Sequence, residues 1–262
     1  MDQKIDFKCD GFLRAISSYT LMLLRDERGS RFLQTCILTQ TGEENEFLYA
    51  LITRNCADIA IHGNSFSILQ HCIAHGTDLQ KVRLVRELTR HVMRLAQHPF
   101  GNYVINYLLD QHDTRFKEDV VRALGGSVCA LSTQKFSSLV VEKSICVAGH
   151  ESRRLLIDEI IESLDSLLKD PYGNYCVQTA LDYAEPSQKA TLVERIRLTL
   201  PNVCSNRFFR RIKMKLYHEL SSPPSSRPIA PPNPSFRTTN FATGTHGTPK
   251  LYSPYPGVVF PI

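Results

Sequence analysis

Along the first part of the chain, aliphatic side chains return at intervals of three and four. Between Leu79 and Gln97 the series Val82, Val85, Leu88, Val92 and Leu95 keeps this spacing, and the stretch from Ser152 to Asp170 behaves the same way. Such steps gather side chains on one face of an α-helix, whereas strand alternation and Asn-Gly hairpin signals are absent. The pattern predicts amphipathic helices and no sheet.

A second, shorter pattern lies between these stretches. GSRFLQTCI from Gly29, SFSILQHCI from Ser65, GNYVINYLL from Gly101, SSLVVEKSI from Ser137 and GNYCVQTAL from Gly173 align without gaps, each starting 36 residues after the last. The first position is always small, and the one four later is aliphatic (Leu33, Leu69, Ile105, Val141, Val177). Ile37, Ile73, Leu109, Ile145 and Leu181 close the segments, and Leu23, Ile59, Leu95, Leu131 and Leu167 stand six residues upstream of the small one. A fixed period of this size marks stacked repeats, in which neighbours together bury a stripe that none could bury alone. An all-α solenoid with one short helix per repeat and an extended concave surface follows. Residues 1–25 leave no room for a further copy, and 185–220 would supply a C-terminal cap.

Polar positions within the short helices form columns of their own. Directly after the small residue, one later and four later stand Ser30/Arg31/Gln34, Phe66/Ser67/Gln70, Asn102/Tyr103/Asn106, Ser138/Leu139/Glu142 and Asn174/Tyr175/Gln178. The first and third of each set are a helical turn apart and project from one face. Amides offer both donor and acceptor, an ionised Glu only accepts, and an aromatic or cationic neighbour can stack on a planar ring. Stacked down a solenoid, the sets would make a ladder that meets one nucleic-acid base per step.

The runs LAQHPFGNYVINYLLD, LSTQKFSSLVVEKSI and LLKDPYGNYCVQTAL resemble the last repeats of a Pumilio (PUF) RNA-binding domain, and the resemblance extends over roughly Leu21 to Leu220. It implies a right-handed curved α-solenoid of armadillo-like helical repeats that holds single-stranded RNA on its concave face, with the C-terminal repeats reading the 5′ end of the site. It further implies binding in mRNA 3′ untranslated regions, control of translation and message stability through repression or deadenylation partners, and a cytoplasmic location. Residue by residue, Asn174 and Gln178 with stacking Tyr175 resemble a uracil reader. Ser138 and Glu142 beside Leu139 resemble a guanine reader, because a carboxylate accepts from both N–H groups on guanine's edge. Asn102, Tyr103 and Asn106 would take uracil, and Ser30 and Gln34 with Arg31 resemble an adenine reader. Gln70 joins the ladder, but Phe66 and Ser67 depart from the pattern and leave its base unassigned. The implied target is 5′-UGU-N-A-3′. Five repeats against the family's usual eight imply a shorter site.

Composition narrows the rest. No run approaches the roughly 18 apolar residues of a membrane-spanning helix, and the first twenty residues lack the apolar core of a secretory signal. From Ser221 onward lie 10 of the 14 prolines and no acidic residue, so 221–262 reads as a disordered appendage to a repeat domain at 1–220. The whole chain carries a net charge of +5, most of it in that appendage. Bulk charge therefore decides nothing, and only a local patch such as Arg207, Arg210, Arg211, Lys213 and Lys215 offers phosphate contact or an ordinary helix end. The eight cysteines are scattered without a Cys-x-x-Cys pair and read as buried free thiols. His71 and His75 share a helix face but lack further metal ligands. No nucleophile triad, phosphate loop or metal cluster appears. A monomeric, non-enzymatic protein without cofactor or metal is expected. A peptide-binding scaffold whose base-reading columns have decayed, or a nucleolar binder of ribosomal RNA, would share the same architecture.

Overall fold

The computed structural model describes residues 19–199, apart from 21, 40, 42, 43 and 64, together with 212–216. The expectation for 221–262 lies outside the described residues, as do Arg207, Arg210, Arg211, Cys9 and Cys204. Every element in the described chain order is a helix. They are α1 (Glu27–Thr39), α2 (Glu46–Arg54), α3 (Cys56–Ala60), α4 (Phe66–His75), α5 (Asp78–Arg90), α6 (Val92–Ala96) and α7 (Gly101–Asp110), followed by α8 (Thr114–Leu124), α9 (Val128–Ser132), α10 (Ser137–Val147), α11 (His150–Glu162), α12 (Leu164–Lys169), α13 (Gly173–Tyr183) and α14 (Pro186–Thr199). Among the described residues no helix is long and apolar enough to cross a membrane.

The predicted solenoid is present, and its unit is a long helix, a short helix and the helix that carries the small residue. The stretch from Leu79 to Gln97, whose periodicity reads as unbroken, divides at His91 into α5 and α6. Neither Pro nor Gly causes the break. Asn55, His91, Ser127 and Ser163 stand 36 residues apart with φ between −101° and −131° and ψ near zero, and the backbone tightens there: the His91 N–H donates to Leu88 O. The turn swings Val92 and Leu95 into the core, where both are buried.

The small column has a steric cause that its carbonyl partners make explicit. A Cβ on Gly29, Gly101 or Gly173 would lie 2.3, 2.7 or 3.0 Å from the carbonyl oxygen of Leu23, Leu95 or Leu167. Where the column holds serine, the hydroxyl donates to that same carbonyl: Ser65 to Ile59 O at 3.2 Å and Ser137 to Leu131 O at 2.7 Å. The two aligned columns, six residues apart, are thus one contact that closes the corner before each helix.

Side chains of the long helices tie successive repeats together. Gln80 closes a capping box with Thr77 at the start of α5 and donates to Glu46 on α2 at 2.8 Å. Glu118 accepts from the Gly149 N–H and the Ser152 hydroxyl at the start of α11, and Gln188 donates to Asp158 and to Arg154 O. Glu159 receives the Gly126 and Val128 N–H groups at 2.6 and 3.1 Å, fixing the turn between α8 and α9. Gly126 itself has φ +77°, a left-handed conformation that glycine adopts without strain. The carboxylates of Asp158 and Glu159 therefore hold the stack.

Candidate nucleic-acid interface

Helices α1, α4, α7, α10 and α13 pack each on the next in chain order and form one layer. Counting from the small residue as zero, registers four and eight are buried in all five, as the aliphatic columns predict. Registers one, two and five hold the candidate readers, and the structure gives each column a different environment.

Register one is buried. Ser30, Phe66, Asn102, Ser138 and Asn174 all lie inside, Asn174 with 1% of its surface exposed. The Asn102 amide donates to His98 O and Pro99 O at 2.9 and 2.8 Å, and the Asn174 amide repeats this with Asp170 O and Pro171 O at 3.0 and 2.9 Å. Each asparagine thereby ties its helix to the turn before it, which turns its Oδ1 along the helix. In α13 that oxygen accepts from Gln178 Nε2 at 3.0 Å.

Register two is the most open. Arg31 is exposed and pairs with Glu27 at 2.5 Å, while Ser67, Tyr103, Leu139 and Tyr175 are half-buried. Tyr103 packs against the edge of the core, and burial pushes its hydroxyl above the usual tyrosine value. Both tyrosines keep part of the ring at the surface, the arrangement a stacking platform requires.

Register five carries the remaining edge groups. Gln34 and Gln70 are half-buried, Glu142 is 4% exposed and Gln178 9%. Gln34 Nε2 donates to Ser30 and to Ser67 of the next helix, at 3.2 and 3.1 Å, and Glu142 accepts from the Thr179 hydroxyl at 3.3 Å. Asn106 Oδ1 is a buried acceptor without a hydrogen-bond partner. Its side chain is one methylene shorter than that of Gln178.

Several contributors escaped the sequence reading. Asp26, His98 and Asp170 stand three residues before the small column, and each accepts from the backbone N–H of Gly29, Gly101 or Gly173. Register six supplies Thr179, which reaches Glu142, and Lys143, which pairs with Asp110 of the previous helix. The signal for these residues is their fixed offset from the small column.

Lys215 extends the register-six pattern: its ammonium meets Asp182 at 2.5 Å and Gln178 O at 2.9 Å. With Ile212 and Leu216 buried beside α13, residues 212–216 cap the layer, and Lys215 is engaged within the protein. His71 and His75 stack with ring centroids 6.2 Å apart, His71 Nδ1 lies 2.9 Å from Ser67 O, and no group of three metal-ligating residues occurs among the described residues. Burial pushes the Cys36 and Cys56 thiols up to about 11 and 12, leaving them protonated and unreactive.

The repeat architecture is shared by known proteins. A family model described as the Pumilio-family RNA binding repeat matches residues 21–53, 67–89, 91–112, 127–161 and 165–197. A Pumilio domain-containing protein of Schizosaccharomyces pombe is 34% identical over 206 residues, covering 78% of this chain and 30% of its own length. Pumilio homolog 9 of Arabidopsis thaliana is 40% identical over 179 residues, 67% of this chain and 31% of its own. The chain thus spans under a third of either relative. Among solved structures, a Puf4 mutant bound to a Cox17 RNA 3′ UTR recognition sequence superposes with a TM-score of 0.67 at 31% identity, covering 80% of this chain and 75% of that one. The Puf4 RNA-binding domain bound to an HO endonuclease RNA 3′ UTR recognition sequence gives 0.68 at 29%, with 80% and 69% covered.

Proposed function

The chain belongs to the Pumilio family of RNA-binding repeat proteins, and from that premise we propose that it binds single-stranded RNA sequence-selectively through the layer of α1, α7, α10 and α13. The target is a 5′-UGU-N-A-3′ element in mRNA 3′ untranslated regions, and the outcome is control of translation and message stability by recruited cytoplasmic partners. Residues 1–220 are the binding domain in this reading, and 221–262 an appendage.

One observation carries the assignment: edge-bearing groups recur at registers one and five of helices stacked in a single layer, with a part-open ring or cation at register two in three of them. In α13 the Gln178 amide is fixed by Asn174, so Gln178 Oε1 remains to accept uracil N3–H. In α10 the two oxygens of Glu142 suit the N1–H and N2–H donors of guanine. Puf4 structures hold RNA recognition sequences from 3′ untranslated regions, which supports the substrate class.

Selection from a randomised RNA pool at physiological salt tests the proposal. Enrichment of a UGU core is expected. A pool that stays random would reject base reading in favour of a scaffold role.

A further inference from the structure

The second repeat does not share the geometry of the others. Phe66 and Ser67 stand where a reader and a stacking side chain belong, and both are engaged by neighbouring helices. Phe66, 6% exposed, stacks on Tyr103 of α7 with ring centroids 5.9 Å apart and planes inclined by 28°, and its ring lies 6.5 Å from that of Phe100. Ser67 faces the opposite neighbour, where its hydroxyl accepts from Gln34 Nε2 of α1 at 3.1 Å.

Resting on the RNA-reading assignment above, we propose that α4 is a brace and not a reader: the base opposite it is neither selected nor stacked, and Ser67 is a positioning residue that sets Gln34 for the adjoining base.

Each half of the proposal has a physical cause. A base stacks on a ring only where its face is open, and Phe66 packs on the face that Tyr103 turns toward α4. Phenylalanine has neither donor nor acceptor, so Gln70 lacks the register-one partner that Asn174 gives Gln178. A lone half-buried amide with no platform beside it offers one adjustable contact, which discriminates poorly among bases. On the α1 side, Ser30 and Ser67 together hold Gln34 Nε2, and this directs Oε1 away as the free acceptor. An oxygen there suits the exocyclic amino group of adenine and opposes the carbonyl that guanine presents in its place. The fourth, unread position of the target and the adenine that follows it thus have a common origin in two side chains of one helix.

The experiment uses the full chain and a UGU-N-A RNA in which one nucleotide at a time is made abasic. Removing the fourth base should leave affinity within about twofold of the parent, whereas removing any base of UGU or the final A should weaken it about tenfold. A tenfold loss at the fourth position would overturn the brace. Ser67→Ala should lower the preference for adenine over guanine at the fifth position by about threefold, a weak-hydrogen-bond effect, with the UGU requirement and thermal melt unchanged. Ser67→Thr, which keeps the hydroxyl, should retain the preference. An adenine preference that survives Ser67→Ala would overturn the positioning role. Indifference to every abasic substitution would overturn the RNA-reading assignment itself, a result distinct from either.

Discussion

The Thr179 hydroxyl donates to Glu142 Oε2 across the contact between α10 and α13, at 3.3 Å, and both side chains are buried. The proposed guanine reader of one repeat is therefore held by a side chain of the next. A carboxylate accepts at both oxygens, so Glu142 matches the paired donors of guanine, whereas adenine and uracil each set a donor beside an acceptor and offer no such pair. Glu142→Gln places an amide donor against a guanine donor. Guanine preference at the second position should fall about tenfold or more, since a bidentate base contact is worth about 1–3 kcal/mol of discrimination. Competition binding with RNAs differing only at that base measures it, and an unchanged guanine-to-adenine ratio contradicts the assignment.

His98 should make the third repeat sensitive to acid. Its Nδ1 accepts from the Phe100 and Gly101 N–H groups at 3.2 and 3.4 Å, which requires the neutral ring. Burial, and then the charge of Arg94, hold its pKa below the usual 6.5. As pH falls from about 6.5 the unfolded chain takes up this proton first, so the stability carried by the neutral ring is intact above that value and drains as pH drops through the folded-state pKa. His98→Asp copies the acceptor found at Asp26 and Asp170. Chemical denaturation at pH 7.0 and 5.5 should show a smaller loss of stability for the variant than for the natural chain, and equal losses would place the acid sensitivity elsewhere.

Much of this architecture is legible in the residues. The 36-residue period gives the solenoid, and the small and aliphatic columns give its core, because repetition averages away the ambiguity of any single helix. The break at His91 is not legible, since a helix that tightens by one turn keeps its apolar spacing and needs no proline. Nor is the burial of register one: Asn102 and Asn174 look like surface amides until their contacts with the carbonyls of the preceding turn are seen. Phe66 and Ser67 show as departures in the sequence, but what they do depends on Tyr103 and Gln34, residues of other helices that the stack alone brings near.

In the proposed reading, a substitution at Tyr175 should separate affinity from selectivity. Its side chain is half-buried at register two, and as the proposed stacking platform it would be indifferent to base identity. Tyr175→Ala should weaken RNA binding by about 1–3 kcal/mol while the enriched sequence stays the same. Helical circular dichroism and its melt should be little changed. A collapse of the melt would identify the ring as part of the core, and a changed sequence preference would give it a reading role.

The corner before each helix makes a prediction about stability that separates its two chemical solutions. At Gly101 any Cβ would sit 2.7 Å from Leu95 O and 2.9 Å from Leu95 Cα, backbone atoms that can yield only by parting α6 from α7. Gly101→Ala should therefore destabilise by about 2–3 kcal/mol, the upper part of the overpacking range. At Ser137 the corner already admits a Cβ, and the change to alanine removes only the hydroxyl that meets Leu131 O. That carbonyl keeps the Gln134 N–H as a donor, so Ser137→Ala should cost about 1 kcal/mol, an ordinary hydrogen bond. Because stability in a stacked array is set by nearest-neighbour interfaces, urea unfolding should rank Gly101→Ala well below Ser137→Ala. The reverse order would mean that the hydroxyl, and not the close approach of backbone, governs how these helices dock.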